Sequence, residues 1–109
     1  MSFVSAIKTC LTHYATFQGR ARRPEFWWFM LFCVLVISLA EALVGEGFSG
    51  LVTLLLLVPT FAVSARRLHD IGRSGWWQLV SLAPLVGVLV VLYWYVQPSD
   101  PYENKYGAV

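Results

Sequence analysis

A long apolar run at residues 26–44, FWWFMLFCVLVISLAEALV, constrains the fold more than any other feature, because Glu41 is its only charged residue. About twenty predominantly apolar residues in an α-helix are enough to cross the hydrocarbon core of a bilayer. Glu41 lies about one turn from the far end of the run, where its carboxylate reaches the interface. A second run at residues 48–65 has no charged residue, and Pro59 within it predicts a kink. Both runs are predicted to be transmembrane helices.

The composition also favours lipid over water as the solvent of this chain. Charged residues make up 13% of its 109 residues and hydrophobic residues 58%, whereas about 25% of a typical soluble domain is charged. This length allows a single domain, residues 1–109, and the net charge of +2 is too small to indicate a nucleic-acid-binding protein. Cys10 and Cys33 have no partner at metal-ligand spacing and are predicted to be reduced packing residues.

Aromatic residues frame a third apolar run at residues 76–96, which is predicted to be the third transmembrane helix. They lie near both of its ends, and at about 1.5 Å per helical residue their spacing matches two interfacial belts. Pro84 and Gly87 between them predict a bend or a close helix contact. Two further tryptophans lie at the start of the first span. The predicted interfacial anchors of both spans are Trp27, Trp28, Trp76, Trp77, Tyr93, Trp94 and Tyr95.

The segments that flank the predicted spans are amphipathic at the N-terminus and polar at the C-terminus. Residues 3–17 place apolar side chains at intervals of three and four, the pattern of a helix with one apolar face. We predict an amphipathic interfacial helix with that face in the headgroup region; the alternative is a helix packed on the protein's own cytoplasmic surface. Pro24 and Glu25 then favour the start of a helix. Residues 97–109 are predicted to be a short extramembrane tail.

The distribution of basic residues predicts the orientation of the chain in the membrane. If three transmembrane helices alternate in direction, Lys105 lies alone on one side. The other basic residues then share the opposite side: Lys8, Arg20, Arg22, Arg23, Arg66, Arg67 and Arg73. The positive-inside rule places the N-terminus and the central loop in the cytoplasm and the C-terminus outside. The prediction reverses for the tail alone if the segment that contains Pro59 is re-entrant.

Three sequence motifs resemble those of a known family. They are FQGRARRPEFWWF near the start, RRLHDIGRSGWW in the middle and NKYG near the end. In this order and at this spacing they resemble the small bacterial inner-membrane proteins of domain-of-unknown-function family 805, and the match covers nearly the whole chain. The resemblance implies an integral, multi-pass protein of the bacterial inner (plasma) membrane. It implies no catalytic residue, because the family has no assigned function.

Charged residues at the predicted cytoplasmic face form what we term the polar cluster. Its members are Arg20, Arg22, Arg23, Glu25, Arg66, Arg67, His69, Asp70 and Arg73. If the second transmembrane helix continues through the central members, Gly72 ends that helix and Ser74 caps the next one. In a structural interpretation, Glu25 pairs with Arg66 or Arg67. Asp70 then pairs with one of the three arginines that precede Glu25, and these pairs fix the register of the helices.

Functional interpretations of the polar cluster stand beside the structural one. The arginines can bind a phosphate or an anionic lipid headgroup through bidentate contacts, or a partner protein. A different class of function is a small oligomeric channel or transporter subunit, or a regulatory membrane protein, although no predicted span has a charge at its centre. An enzyme is least favoured, because neighbouring His69 and Asp70 face different directions on a helix. The sequence has no recognisable nucleophile pair, metal site or cofactor motif.

Overall fold

Within residues 2–107, which the computed structural model describes, the chain forms four α-helices and one long 3₁₀ helix. The α-helices are α1 (Phe3–Thr12), α2 (Arg23–Leu43), α3 (Glu46–Asp70) and α4 (Val86–Tyr95), and the 3₁₀ helix (Gly75–Leu82) lies between α3 and α4. Outside the helices, an isolated bridge joins Asn104 to Gly107 in the tail. The prediction of an all-helical chain is confirmed for these residues, and two of the helices are long and apolar.

The helices α2 and α3 form a long antiparallel pair. Both are long and apolar enough to cross a membrane, which confirms the helices predicted around residues 26–44 and 48–65. Pro24 and Glu25 lie in the first turn of α2, and Gly45 makes the turn to α3 with a φ of 130°. Since the chain reverses at Gly45, the start of α2 and the end of α3 meet at one end of the molecule, which we term the polar end.

The first helix packs on α2 and is shorter than predicted. A capping box between Ser2 and Ser5 begins α1. Phe3 makes an edge-to-face contact with Trp28 at 5.6 Å between ring centroids, and Cys10 is buried beside Glu25. The prediction of a helix over the whole of residues 3–17 is wrong after Thr12, where α1 ends.

After α1, the chain crosses to α3 and satisfies a carbonyl group that Pro59 leaves free. Pro59 lies inside α3 without ending it. Because proline has no N–H, the carbonyl of Leu55, four residues earlier, loses its helical partner. The Tyr14 hydroxyl donates a hydrogen bond to that carbonyl. The hydroxyl of Tyr14 therefore replaces the backbone donor that Pro59 lacks.

Residues 75–95 form a hairpin of two short helices, so the prediction of one transmembrane helix over residues 76–96 is wrong. Pro84 restricts the residue before it to an extended conformation, and Ala83 accordingly has a ψ of 115°. The chain then turns at Leu85, which has a φ of 62°. At Gly87 a Cβ would overlap the carbonyl of Val80, so glycine permits the two arms to pack closely.

The aromatic residues predicted at opposite ends of a third span lie together at the same end of the hairpin. The rings of Trp77 and Trp94 contact edge to face, with centroids 5.9 Å apart. The prediction of two separate aromatic belts in this segment is therefore wrong. Tyr95 is also not an interfacial anchor, because it is 7% exposed and packs on Phe26 at 4.4 Å between ring centroids.

The hairpin extends along about half the length of a spanning helix. At about 2 Å per 3₁₀ residue and 1.5 Å per α-helical residue, each arm is about 15 Å long, whereas the hydrocarbon core is about 30 Å thick. Its turn lies beside the middle of α3, since Leu82 and Thr60 line the same groove. The chain therefore returns to the polar end, where the Asp100 amide donates to the Asp70 carbonyl at 2.8 Å. Three alternating spans would place the tail at the opposite end from the central loop. That prediction is wrong, because the tail and the central loop lie at the same end.

Candidate functional site

Asp70 is the centre of the polar cluster. Its carboxylate accepts hydrogen bonds from Arg20 Nε at 2.9 Å and from Arg67 Nη1 at 2.9 Å, and it also accepts one from the Ser99 hydroxyl. Asp70 is the last residue of α3, and its side chain is 2% exposed. Two guanidinium groups around one buried carboxylate join the loop before α2, the end of α3 and the tail.

Arg67 attaches the end of the hairpin to α3. The side chain is fully buried, and each of its three nitrogens donates a hydrogen bond. Nε binds the carbonyl of Tyr95 at 3.1 Å, and Nη2 binds the carbonyl of Gln97. These carbonyls lie at the C-terminal end of α4, where the helix dipole favours a cation.

Arg20 holds the tail in the same way. In addition to the Asp70 carboxylate, its terminal nitrogens donate to the backbone carbonyls of Asp70 at 3.1 Å and Asp100 at 2.8 Å. Further bonds reach the carbonyls of Tyr102 at 3.0 Å and Gly107 at 3.3 Å. Arg20 therefore acts as a cross-link between the segment before α2 and the tail.

A second buried ion pair lies beneath α1. Arg66 Nη1 donates to Glu25 Oε2, and the Cys10 thiol lies 3.7 Å from the same carboxylate oxygen. Burial, together with the nearby Glu25 carboxylate, raises the pKa of the Cys10 thiol to about 12. Arg66 Nε and Nη2 are buried without a hydrogen-bond partner among residues 2–107. Arg66 therefore binds Glu25 through one nitrogen of its guanidinium group, and the other two nitrogens have no hydrogen bond within these residues.

These contacts confirm two of the predicted pairings and divide the polar cluster into two groups. Glu25 pairs with Arg66, and Asp70 pairs with Arg20, as the structural interpretation requires. The exposed arginines lie outside this network: Arg22, Arg23 and Arg73. Of these, Arg23 donates to the carbonyl of Val96 at 3.3 Å and Arg73 lies 4.5 Å from the centroid of the Trp94 ring. The buried arginines are thus engaged in contacts within the protein, as the structural interpretation describes, and the binding of an anion by the polar cluster stays a prediction.

His69 is fixed by the first and last of the three sequence motifs. Its Nδ1 lies 2.9 Å from the carbonyl of Gly19, and its ring stacks on that of Tyr106 at 4.1 Å with an interplanar angle of 1°. The amide of Asn104 donates to the backbone carbonyl of His69 at 3.0 Å. Asp70 binds arginines rather than this imidazole, as expected for neighbours that face different directions on a helix.

The three motifs singled out in the sequence thus meet at the polar end. Arg20 belongs to the first motif, His69 and Asp70 to the second, and Asn104 and Tyr106 to the third. Sequence reasoning missed the tail partners Ser99, Asp100, Asn104 and Tyr106. The NKYG motif was the available signal for two of them, although it specifies no contact by itself.

Two adjoining grooves run from the polar end along the space between α3 and the hairpin. The outer groove has a volume of about 420 Å³ and includes His69, Ser74 and Gly75 in its wall. The inner groove has a volume of about 480 Å³, and apolar side chains such as Phe61, Leu82 and Val88 dominate its wall. Phe17, Trp76 and Gln78 line both. The grooves therefore adjoin, one with polar groups in its wall and the other with mainly apolar side chains.

The chemistry available along these grooves is hydrogen bonding and apolar contact. Ser74 caps the 3₁₀ helix by accepting a hydrogen bond from the Trp76 amide at 3.3 Å, which confirms its predicted role as a cap. Gly72, with a φ of 81°, follows the end of α3 as predicted. Among residues 2–107, no group of three His, Cys, Asp or Glu side chains is placed to hold a metal ion.

Comparison with known proteins identifies relatives over most of the chain. The sequence profile of the family described as "Protein of unknown function (DUF805)" matches residues 14–108. The chain is 38% identical to "Inner membrane protein YhaH" of Escherichia coli over 107 residues, which cover 89% of this chain and 88% of that protein.

A second Escherichia coli protein, "Inner membrane protein YhaI", is 38% identical over 103 residues, covering 89% of this chain and 87% of that protein. "Uncharacterized protein YiiR" of the same organism is 33% identical over 89 residues, covering 77% of this chain and 60% of that protein. No solved structure matches the chain. The profile match and the identities confirm the resemblance of the three motifs, and the chain belongs to the DUF805 family of proteins of unknown function.

Proposed function

We propose that this chain is a non-enzymatic, multi-pass protein of the bacterial inner membrane that binds one phospholipid in the adjoining grooves between α3 and the hairpin. An acyl chain of the lipid occupies the inner groove. The phosphate lies at the polar mouth, near the exposed Arg73 that precedes Ser74 in the chain. The proposal assigns no catalytic residue and no cofactor.

The single observation that supports this proposal most directly is that the two grooves share Phe17, Trp76 and Gln78 in their walls. An amphipathic ligand needs polar groups and apolar surface in that order along one path, and a phospholipid has this order. The volumes of about 480 and 420 Å³ are within the range of small-molecule sites. Tryptophan at the junction suits the headgroup depth of a bilayer.

The proposed topology has two transmembrane helices, α2 and α3, and a re-entrant hairpin. Both termini and the central loop then lie in the cytoplasm, and the turn at Gly45 lies on the other side. In this topology Lys105 joins the arginines of the polar end, so the positive-inside rule is met more fully than with three spans. A re-entrant segment is tolerated at membrane depth when it packs against protein, as the hairpin packs against α3.

In this proposal the buried part of the polar cluster is a scaffold for the lipid site. Arg67 binds the end of α4, and Arg20 binds the tail. These bonds fasten the end of the hairpin and the tail to the end of α3, and so help to hold the hairpin beside α3. The same contacts support the purely structural interpretation of the buried arginines, whereas the lipid is assigned to the groove itself.

Native mass spectrometry of the protein extracted with its lipids tests the lipid site. We expect one retained phospholipid on the unchanged protein. Val88→Trp, which introduces a larger side chain into the inner groove, should remove it. Leu54→Trp is the matched control, since Leu54 is an exposed α3 residue that lines neither groove. Equal lipid retention by both variants would contradict the groove assignment.

The headgroup part of the proposal needs a separate substitution. Arg73→Gln removes an exposed cation next in sequence to the groove residue Ser74, and Lys8→Gln removes an exposed cation on α1. We expect Arg73→Gln to weaken lipid retention and Lys8→Gln to leave it unchanged, because charge attraction to a phosphate falls off with distance. The same spectra count the subunits, which tests the alternative of an oligomeric channel or a complex with another membrane protein.

A further inference from the structure

We infer that the mouth of the groove selects a phospholipid whose headgroup carries a hydrogen-bond donor, an ammonium N–H or a hydroxyl, over one that carries none. This inference rests on the proposed lipid site and specifies the headgroup chemistry. It depends on the orientation of His69, whose ring nitrogens have different partners.

The hydrogen bond to Gly19 determines the tautomer of His69. A backbone carbonyl only accepts hydrogen bonds, so Nδ1, 2.9 Å from the Gly19 oxygen, carries the proton. In a neutral imidazole the other nitrogen, Nε2, then has a free lone pair. His69 Nε2 makes no hydrogen bond to any residue among 2–107. It is therefore an acceptor without a donor among these residues.

The free acceptor faces the groove. A Cβ built on Gly75 would lie 3.5 Å from His69 Nε2, and Gly75 and His69 both line the outer groove. The stack on Tyr106 and the bond to Gly19 hold the ring from its face and from its opposite edge. Turning the ring over would keep the stack on Tyr106 but would lose the bond to Gly19, so that bond fixes the direction in which the acceptor is presented.

The neighbouring groups accommodate the phosphate of the same lipid. The Ser74 oxygen accepts a hydrogen bond from the Trp76 amide, which leaves the hydroxyl hydrogen free to donate to a phosphate oxygen. Gln78 can donate or accept. The mouth thus offers donors for a phosphate and one directed acceptor, His69 Nε2, for the group attached to it. A trimethylammonium group has the charge of an ammonium group but no N–H, so it leaves that acceptor unpaired.

A series of lipids that differ only in headgroup methylation tests this inference on the unchanged protein. Phosphatidylethanolamine, its monomethyl and dimethyl derivatives and phosphatidylcholine have the same net charge, and only the last lacks an N–H. Each is added with the same acyl chains to delipidated protein in detergent micelles, and bound lipid is measured by native mass spectrometry. We expect similar retention through the dimethyl lipid and a drop of about three- to tenfold at phosphatidylcholine.

Phosphatidylglycerol, whose hydroxyls are the donors, is the second arm and should be retained at least as well as phosphatidylethanolamine. Equal retention of phosphatidylethanolamine and phosphatidylcholine would overturn the inference and leave the lipid site intact. A gradual decline with each methyl group would also overturn it, since that result indicates headgroup size. Retention of none of these lipids would overturn the proposed function itself.

His69→Phe tests the residue. Phenylalanine keeps the ring that stacks on Tyr106 but has no lone pair, so phosphatidylethanolamine and phosphatidylcholine should bind this variant equally. Its melting temperature is measured in parallel, because the variant also loses the bond to Gly19. A folded variant that still prefers phosphatidylethanolamine would overturn the role of His69. If the variant does not fold, the methylation series on the unchanged protein still decides the inference.

Discussion

The same substitution at two adjacent arginines is expected to have very different costs. Lysine keeps the positive charge at positions 66 and 67, so the signals that set topology are unchanged in both variants. Arg67 donates three hydrogen bonds from three nitrogens, whereas Arg66, within residues 2–107, donates from Nη1 alone. A lysine ammonium group is a point charge that can replace a single contact but not a planar fork.

The bonds of each arginine give the expected magnitudes. In Arg67→Lys the ammonium group can keep the pair with Asp70, while the bonds to the carbonyls of Tyr95 and Gln97 are lost. A hydrogen bond that involves a charged group contributes about 1.5–3 kcal/mol, so the loss of two costs about 3 kcal/mol or more. In Arg66→Lys the two unsatisfied nitrogens disappear and the pair with Glu25 is kept, so the cost is below about 1 kcal/mol.

Denaturant titration of both variants in detergent, followed by circular dichroism, measures these free energies of unfolding. The unchanged protein is the common reference, and the variants have equal charge and equal side-chain length. A cost at position 66 that equals or exceeds the cost at position 67 would refute the role of Arg67 as the attachment of the hairpin. It would also show that the unsatisfied nitrogens of Arg66 have partners in the folded protein.

Other predictions concern α1, the hydrogen bond beside Pro59 and the hairpin. Tyr14→Phe should lower the free energy of unfolding by about 1 kcal/mol in the presence of Pro59. In the Pro59→Ala background it should have almost no effect, because the helix regains its own donor there, and a double-mutant cycle that shows no coupling would contradict the bond. Cys10, whose pKa is raised to about 12 by burial and the nearby Glu25 carboxylate, should resist maleimide at pH 8 until the protein unfolds, whereas a cysteine at the exposed Lys8 should react at once. Gly87→Ala should destabilise the protein by about 1–3 kcal/mol in thermal or denaturant melts, because its methyl group would overlap the other arm of the hairpin.

The long helices and the ion pairs could be predicted because each depends on a strong local signal. The apolar run at 26–44 is too long for most alternatives to a spanning helix. Glu25 and Asp70 are the acidic residues of a cluster otherwise rich in arginine, so each was expected to pair with an arginine at the same face. Which arginine each would choose depends on the rotation of α3, and the sequence left Arg66 and Arg67 as equal candidates for Glu25.

The hairpin could not be read from apolarity, since one long helix and two short arms have the same composition. Pro84 and Gly87 were noted as a bend or a close contact, but only the packing of Gly87 against Val80 shows that the chain reverses there. The hydrogen bond between Tyr14 and Leu55 also could not be predicted from the sequence. It joins segments that are distant in sequence, and a predicted amphipathic helix gave Tyr14 a different place.

The location of the C-terminal tail is the most direct test of the account. Three spans place the tail opposite the central loop, whereas a re-entrant hairpin returns it to the arginines of the polar end. A fluorescent reporter that matures only in the cytoplasm and a phosphatase that is active only outside it are fused in turn after Val109. The same phosphatase after a truncation at Val44 is the control for the opposite side. We predict a fluorescent C-terminal fusion, an inactive C-terminal phosphatase and an active control; an active phosphatase at the C-terminus would contradict the hairpin.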